Sequence, residues 1–136
     1  MSDPLHPLGG FADLVGYRLG QWREDHAEIL LEVDSRHLNR SGVLHGGVLT
    51  TLIDAACGYA GCYAAEPGVP RRAFTLSLDC HFTAAAAAGD RLSVSARRTG
   101  GGRQVFFSRA EVHDQNGRLI AQGAGVFRYR GLGGTS

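Results

Sequence analysis

Hydrophobic and polar positions change rhythm several times along the chain. Residues 15–22 read as a short strand, and the aliphatic HAEILLEV of residues 26–33 as a second. The polar REDH between them predicts a hairpin turn. Residues 34–44 carry no period and are read as a loop that holds Asn39. From Gly46 to about Ala64 the side chains are apolar in nearly every direction, a long helix buried on most sides, and the Pro67, Gly68 and Pro70 that follow prevent its continuation. In FTLSLDCHF, Phe74, Leu76, Leu78, Cys80 and Phe82 alternate with Thr75, Ser77, Asp79 and His81, the period of a half-buried strand. Ala84 to Ala88 is too short for a helix before Gly89-Asp90 and is read as a connection. Leu92, Val94 and Ala96 mark a further strand that ends at Thr99-Gly100-Gly101-Gly102. Residues 105–113 and 119–129 are the last two, joined through the hairpin signal Asn116-Gly117.

Two strands, one long helix and four strands in a meander define an α+β chain. The simplest arrangement is a single antiparallel sheet of about five to six strands wrapped round one long central helix. Its open edges invite a second copy, so a homodimer is expected. Residues 1–136 fit a single domain, with residues 1–12 a loosely ordered lead-in and residues 131–136 a disordered tail.

Charge narrows the functional classes. Lys and Arg total 14 against 13 Asp and Glu, so no overall field favours nucleic acid or an anionic membrane surface. No apolar run reaches the ~20 residues of a membrane span. Cys57, Cys62 and Cys80 lack C-x-x-C spacing and lie in apolar stretches, as in a reducing compartment, and a soluble cytoplasmic protein is expected. The histidines are scattered without ligand spacing, so no metal is expected.

Asp54 is the one charge in the helix. A carboxylate left unpaired in an apolar interior costs several kcal/mol, and sites that tolerate that cost are disproportionately functional. Steps of three and four along its face give Gly47, Thr50, Thr51, Asp54 and Gly58, a stripe of small and polar residues that lets another group approach; Gly47, Thr50, Thr51 and Gly58 are read as substrate-binding positions. Upstream, His45-Gly46-Gly47 opens the helix. Free N–H groups at a helix start, with no Cβ to shield them, can hold a developing oxyanion. Gly46 and Asp54 are eight positions apart, or ~12 Å of helix rise, too far to act on one carbonyl. Two antiparallel helices across a dimer axis would bring the amide of one copy to the acid of the other.

The order Asn39, then His45-Gly46-Gly47, then Asp54, within LNRSGVLHGGVLTTLIDAACGYA, resembles the hotdog-fold acyl-CoA thioesterases of the phenylacetate-degradation branch. With the flanking strand order, the likeness spans residues 15–129. The resemblance implies the hotdog fold and hydrolysis of acyl-CoA to free acid and CoA. It implies that the Gly46 amide polarises the thioester carbonyl, that His45 and Asn39 orient thioester and water, and that Asp54 of the facing subunit is general base or nucleophile. A hydroxyl on the strand after the helix assists the water in that family, and Ser77 is the candidate. Ser77, like Thr75 and Thr83, belongs to the set opposite Phe74, Leu76 and Leu78, so it meets the helix only if a bulge turns the strand. Coenzyme A enters as part of the substrate, with no separate cofactor. Arg71, Arg72, Arg97, Arg98, Arg103, Arg128 and Arg130 include candidates for its phosphates. The resemblance extends to a homodimer that shares its sites and pairs into a tetramer. The alternatives are a hotdog hydratase or dehydratase of enoyl or hydroxyacyl thioesters, against which the nine-residue spacing of His45 and Asp54 speaks, and a non-catalytic acyl-CoA-binding module, which has no need of Asp54.

Overall fold

The computed structural model describes residues 8–64 and 71–131. Six strands form one antiparallel sheet: β1 Arg18–Arg23, β2 His26–Glu32, β3 Arg72–Phe82, β4 Arg91–Gly101, β5 Val105–His113 and β6 Leu119–Arg130. A short helix, α1 Gly10–Val15, precedes them, and the central helix α2 Gly46–Ala60 lies between β2 and β3. The spatial order is β1-β2-β4-β5-β6-β3. The expected α+β architecture of a sheet around one helix is therefore observed, but the last four strands are not a simple meander. Only β4, β5 and β6 run in sequence; β3 pairs with β6 at the far edge, because α2 carries the chain across the whole sheet before β3 begins.

The core is the seam between α2 and the concave face. Leu49, Leu52, Ile53, Ala56, Cys57 and Ala60 are buried from the helix, against Ala27, Ile29, Val94, Phe106, Val112 and Phe127 from the strands. Each large apolar side chain sealed this way contributes about 1.5–3 kcal/mol. Phe106 and Phe127 stack with centroids 5.1 Å apart. On β6, Gly123 presents no side chain to α2; a Cβ there would stand 2.9 Å from Ile53 Cγ2 and 2.6 Å from the Asp79 carbonyl oxygen. This glycine sets how closely the helix sits on β3 and β6.

Two boundaries differ from expectation. Residues 10–15 form a helix where a lead-in and the start of a strand are expected, and β1 begins at Arg18. Gly16, at φ +93°, closes α1 by donating its N–H to Ala12 O at 2.7 Å, while Arg36 Nη1 donates to Leu14 O at 2.7 Å. The buried His37 accepts from the Asp34 N–H on Nδ1 at 2.9 Å, which leaves Nε2 to donate to Val15 O at 2.6 Å. Helix α2 stops at Ala60, short of Ala64, because its last carbonyls find side-chain donors: Trp22 Nε1 donates to Tyr59 O at 2.8 Å and Tyr129 Oη to Gly61 O at 2.6 Å. Residues 1–7, the proline-bounded stop after the helix and the tail beyond residue 131 lie outside the described residues. No helix among the described residues is long and apolar enough to cross a membrane.

Candidate active site

The loop into α2 is built by Asn39. Its Oδ1 accepts the backbone N–H groups of Ser41 at 2.9 Å and Val43 at 3.3 Å, and its own N–H donates to Val43 O at 2.8 Å. The carboxamide oxygen is thus engaged within the loop, and the exposed amide NH₂ is the group it offers outward. His45 then caps the helix: its Nδ1 accepts the Gly47 N–H at 2.7 Å and its carbonyl the Val48 N–H at 3.0 Å. An accepting Nδ1 carries no proton, so the proton of neutral His45 is on Nε2. Both following amides are occupied, whereas the Gly46 N–H has no acceptor among the described residues. A Cβ on Gly46 would press against the exposed Phe82 ring at 3.3 Å, which would have to shift slightly to admit it.

Asp54, two turns further along, is half-exposed and not the deeply buried acid its setting suggests. It is also not unpaired: Thr75 Oγ1 donates to Asp54 Oδ1 at 2.6 Å. Ser77 does not reach it. The β3–β6 register slips between Thr75, opposite Phe127, and Ser77, opposite Val126, so Leu76 is the extra residue of a bulge. Phe127 is in the core whereas Val126 is on the outer face, so Ala73 and Thr75 face α2 before the bulge, and Leu78 and Cys80 after it. Phe74, Leu76 and Ser77 are exposed, contrary to an uninterrupted alternation.

Asp54 and Thr75 open into a cleft of about 380 Å³ between α2, β3 and the chain around α1. Thr51, Ala55, Gly58 and Tyr59 line it from the helix, Tyr17 and Phe11 from the amino-terminal side, and Arg71, Arg72 and Arg130 from the strand ends. Gly47 and Thr50 are not part of this lining. The hydroxyls of Thr50 and Thr51 turn back to the carbonyls of Gly46, at 3.1 Å, and Gly47, at 2.9 Å, so Thr51 offers the cleft little besides its methyl group. Burial, and secondly the Asp54 carboxylate, push the Tyr17 phenol above its ordinary range. Burial first and Asp54 second push the Cys57 thiol up to about 12, so it stays protonated beside the site. Thr75 and Tyr17 are the residues that sequence reasoning did not select. Thr75 shares its alternating set with Ser77, and only the bulge separates them.

The thioesterase superfamily model matches residues 41–121, more than half of the chain, and the match contains His45, α2 and the bulged strand but begins after Asn39. The chain belongs to the thioesterase superfamily. Within it, the chain is 34% identical over 125 residues to a Pseudomonas aeruginosa protein provisionally named as an esterase, PA0474, with 91% of each chain covered. It is 28% identical over 94 residues to mouse acyl-coenzyme A thioesterase 13, covering 68% of this chain and 65% of that one. The structure of the Escherichia coli PaaI protein from the phenylacetic acid degradation operon superposes with a TM-score of 0.77 at 25% identity, covering 92% of this chain and 86% of that one. The hotdog arrangement expected for the thioesterase superfamily is the one observed.

Proposed function

We propose that the protein hydrolyses acyl-CoA thioesters, with the carbonyl held by the Gly46 amide of one subunit and water activated by Asp54 of a facing subunit. The observation that carries this reading is the 2.6 Å hydrogen bond from Thr75 Oγ1 to Asp54 Oδ1 at a cleft, in a thioesterase-superfamily chain whose Gly46 N–H has no acceptor among the described residues. That hydrogen bond fixes one carboxylate oxygen and leaves the other free to take a proton. In the proposed step, water adds to the thioester carbon as its proton passes to Asp54. The oxyanion forms at the Gly46 N–H, aided by the positive end of the helix dipole. When the tetrahedral centre collapses, the carbon–sulfur bond breaks, and the proton held by Asp54 goes to the departing CoA thiolate. Thr75, which positions the Asp54 carboxylate, replaces Ser77 as the strand hydroxyl that the resemblance has assist the water, and His45 holds the amide array in place. Similarity to mouse acyl-coenzyme A thioesterase 13 supports coenzyme A as the carrier.

The test is release of free CoA thiol from a panel of acyl-CoAs, followed with a thiol reagent. Removal of a general base costs about 10²–10⁴-fold, so Asp54→Asn should lower kcat by that order while the fold persists. A kcat near that of the unaltered protein would overturn the mechanism.

A further inference from the structure

The same cleft carries a feature that thioester hydrolysis alone does not require. Among the described residues Asp54 is the only carboxylate in its lining, whereas three arginines, Arg71, Arg72 and Arg130, contribute to its other end. Arg72 and Arg130 are directly opposed across the β3–β6 ladder, an arrangement that like charges disfavour. Among the described residues none of the three has a carboxylate within ion-pair distance. Arg71 is half-buried, with its guanidinium carbon 4.2 Å above the centre of the Tyr129 ring. A guanidinium stacked in this way keeps its N–H edge available, and that edge matches a carboxylate with two parallel hydrogen bonds.

We propose that this arginine cluster is a subsite for an anionic group at the far end of the acyl chain, so that the preferred substrates are half-thioesters of dicarboxylic acids. The proposal rests on the thioesterase reading and adds to it the chemical class of the acyl group. Arg72 and Thr75 are three positions apart on the strand, a span of ~10 Å. A medium-length acyl chain with a terminal carboxylate covers that distance, whereas the extended pantetheine arm between a CoA thioester and its first phosphate is longer. Between the two ends the lining is Ala55, Gly58, Tyr59 and Ala73, small or apolar surface suited to methylene groups. Neutralising the cluster would also relieve the repulsion between Arg72 and Arg130.

Suberyl-CoA and octanoyl-CoA have equal chain length and differ by one terminal carboxylate. The unaltered protein should show the higher kcat/KM on suberyl-CoA. Loss of a charge-assisted hydrogen bond costs about tenfold or more, so Arg71→Gln and Arg130→Gln should each lower kcat/KM on suberyl-CoA by at least that factor and leave octanoyl-CoA essentially unchanged. Arg109→Gln, which removes a guanidinium from outside this cleft, should spare both substrates and so control for net charge. Equal losses on the two substrates would assign the arginines to the coenzyme phosphates and overturn the proposal, as would octanoyl-CoA being the better substrate. Calorimetric binding of both thioesters to the unaltered and Arg71→Gln proteins separates this proposal from the catalytic one. If neither compound is cleaved, the hydrolytic reading fails, and a preference for suberyl-CoA that Arg71→Gln abolishes still supports the subsite; no such preference overturns it.

Discussion

Thr75 and Ser77 are two positions apart on one strand, yet the bulge at Leu76 brings only Thr75 to Asp54. The two hydroxyls therefore make opposite predictions. Thr75→Val should lower kcat by about 10–100-fold with little change in KM, the cost of one hydrogen bond to a charged group, and Thr75→Ser should restore most of it. Ser77→Ala should leave steady-state rates unaltered. Asp54 and Gly46 were legible in the sequence because their chemistry is local: one is the single acid of an apolar helix, the other a glycine at that helix's first turn. Thr75 was not, because a one-residue slip between strands leaves no mark on the alternation of FTLSLDCHF itself. Asn39 shows a different limit. Its place before the helix was readable, but its oxygen bonds its own loop, which follows from turn geometry that residue order does not reveal.

At the scale of elements, the boundaries set by local chemistry were readable and those set by distant partners were not. Asn116-Gly117 marks the β5–β6 hairpin, and Gly117 takes the φ of +78° that such a turn needs. The end of α1 and the end of α2 depend on Arg36, His37, Trp22 and Tyr129, each more than twenty residues from the carbonyl it binds. The hairpin also carries a titratable anchor. Asp114 Oδ1 accepts the N–H groups of Asn116 and Arg118, both at 2.9 Å, and Arg118 Nε donates to Oδ2 at 3.2 Å. These contacts, the Arg118 N–H foremost, hold the Asp114 carboxyl below its ordinary 3.8. A depressed folded-state pKa gives stabilisation that is fully present above the unfolded value and disappears as pH falls through the folded one. Asp114→Asn should therefore lower Tm at pH 7, and the gap in thermal melts should narrow steadily as pH drops below 3.8.

For the molecule as a whole, α2 fills the concave face while the outer edge of β3 pairs with nothing among the described residues. Phe74, Leu76 and Phe82 are exposed along that strand. An unpaired apolar edge favours strand addition, and with ~12 Å of helix between Gly46 and Asp54 the proposed mechanism requires two copies. Chains carrying Asp54→Asn and chains carrying Gly46→Pro should each be inactive, and refolding them together should return roughly a quarter of normal activity, since about half of randomly formed dimers then hold one intact site of two. No recovery in dimers verified as mixed would remove the shared site. Trp22 gives the protein one more property. It is the chain's single tryptophan, its ring meets Tyr59 and Tyr63 edge-on at 5.3 and 5.6 Å, and its N–H closes the end of α2. Indole fluorescence from each chain thus has one origin, next to a residue that lines the cleft, so a change in emission wavelength can be attributed to that helix terminus without labelling or mutation.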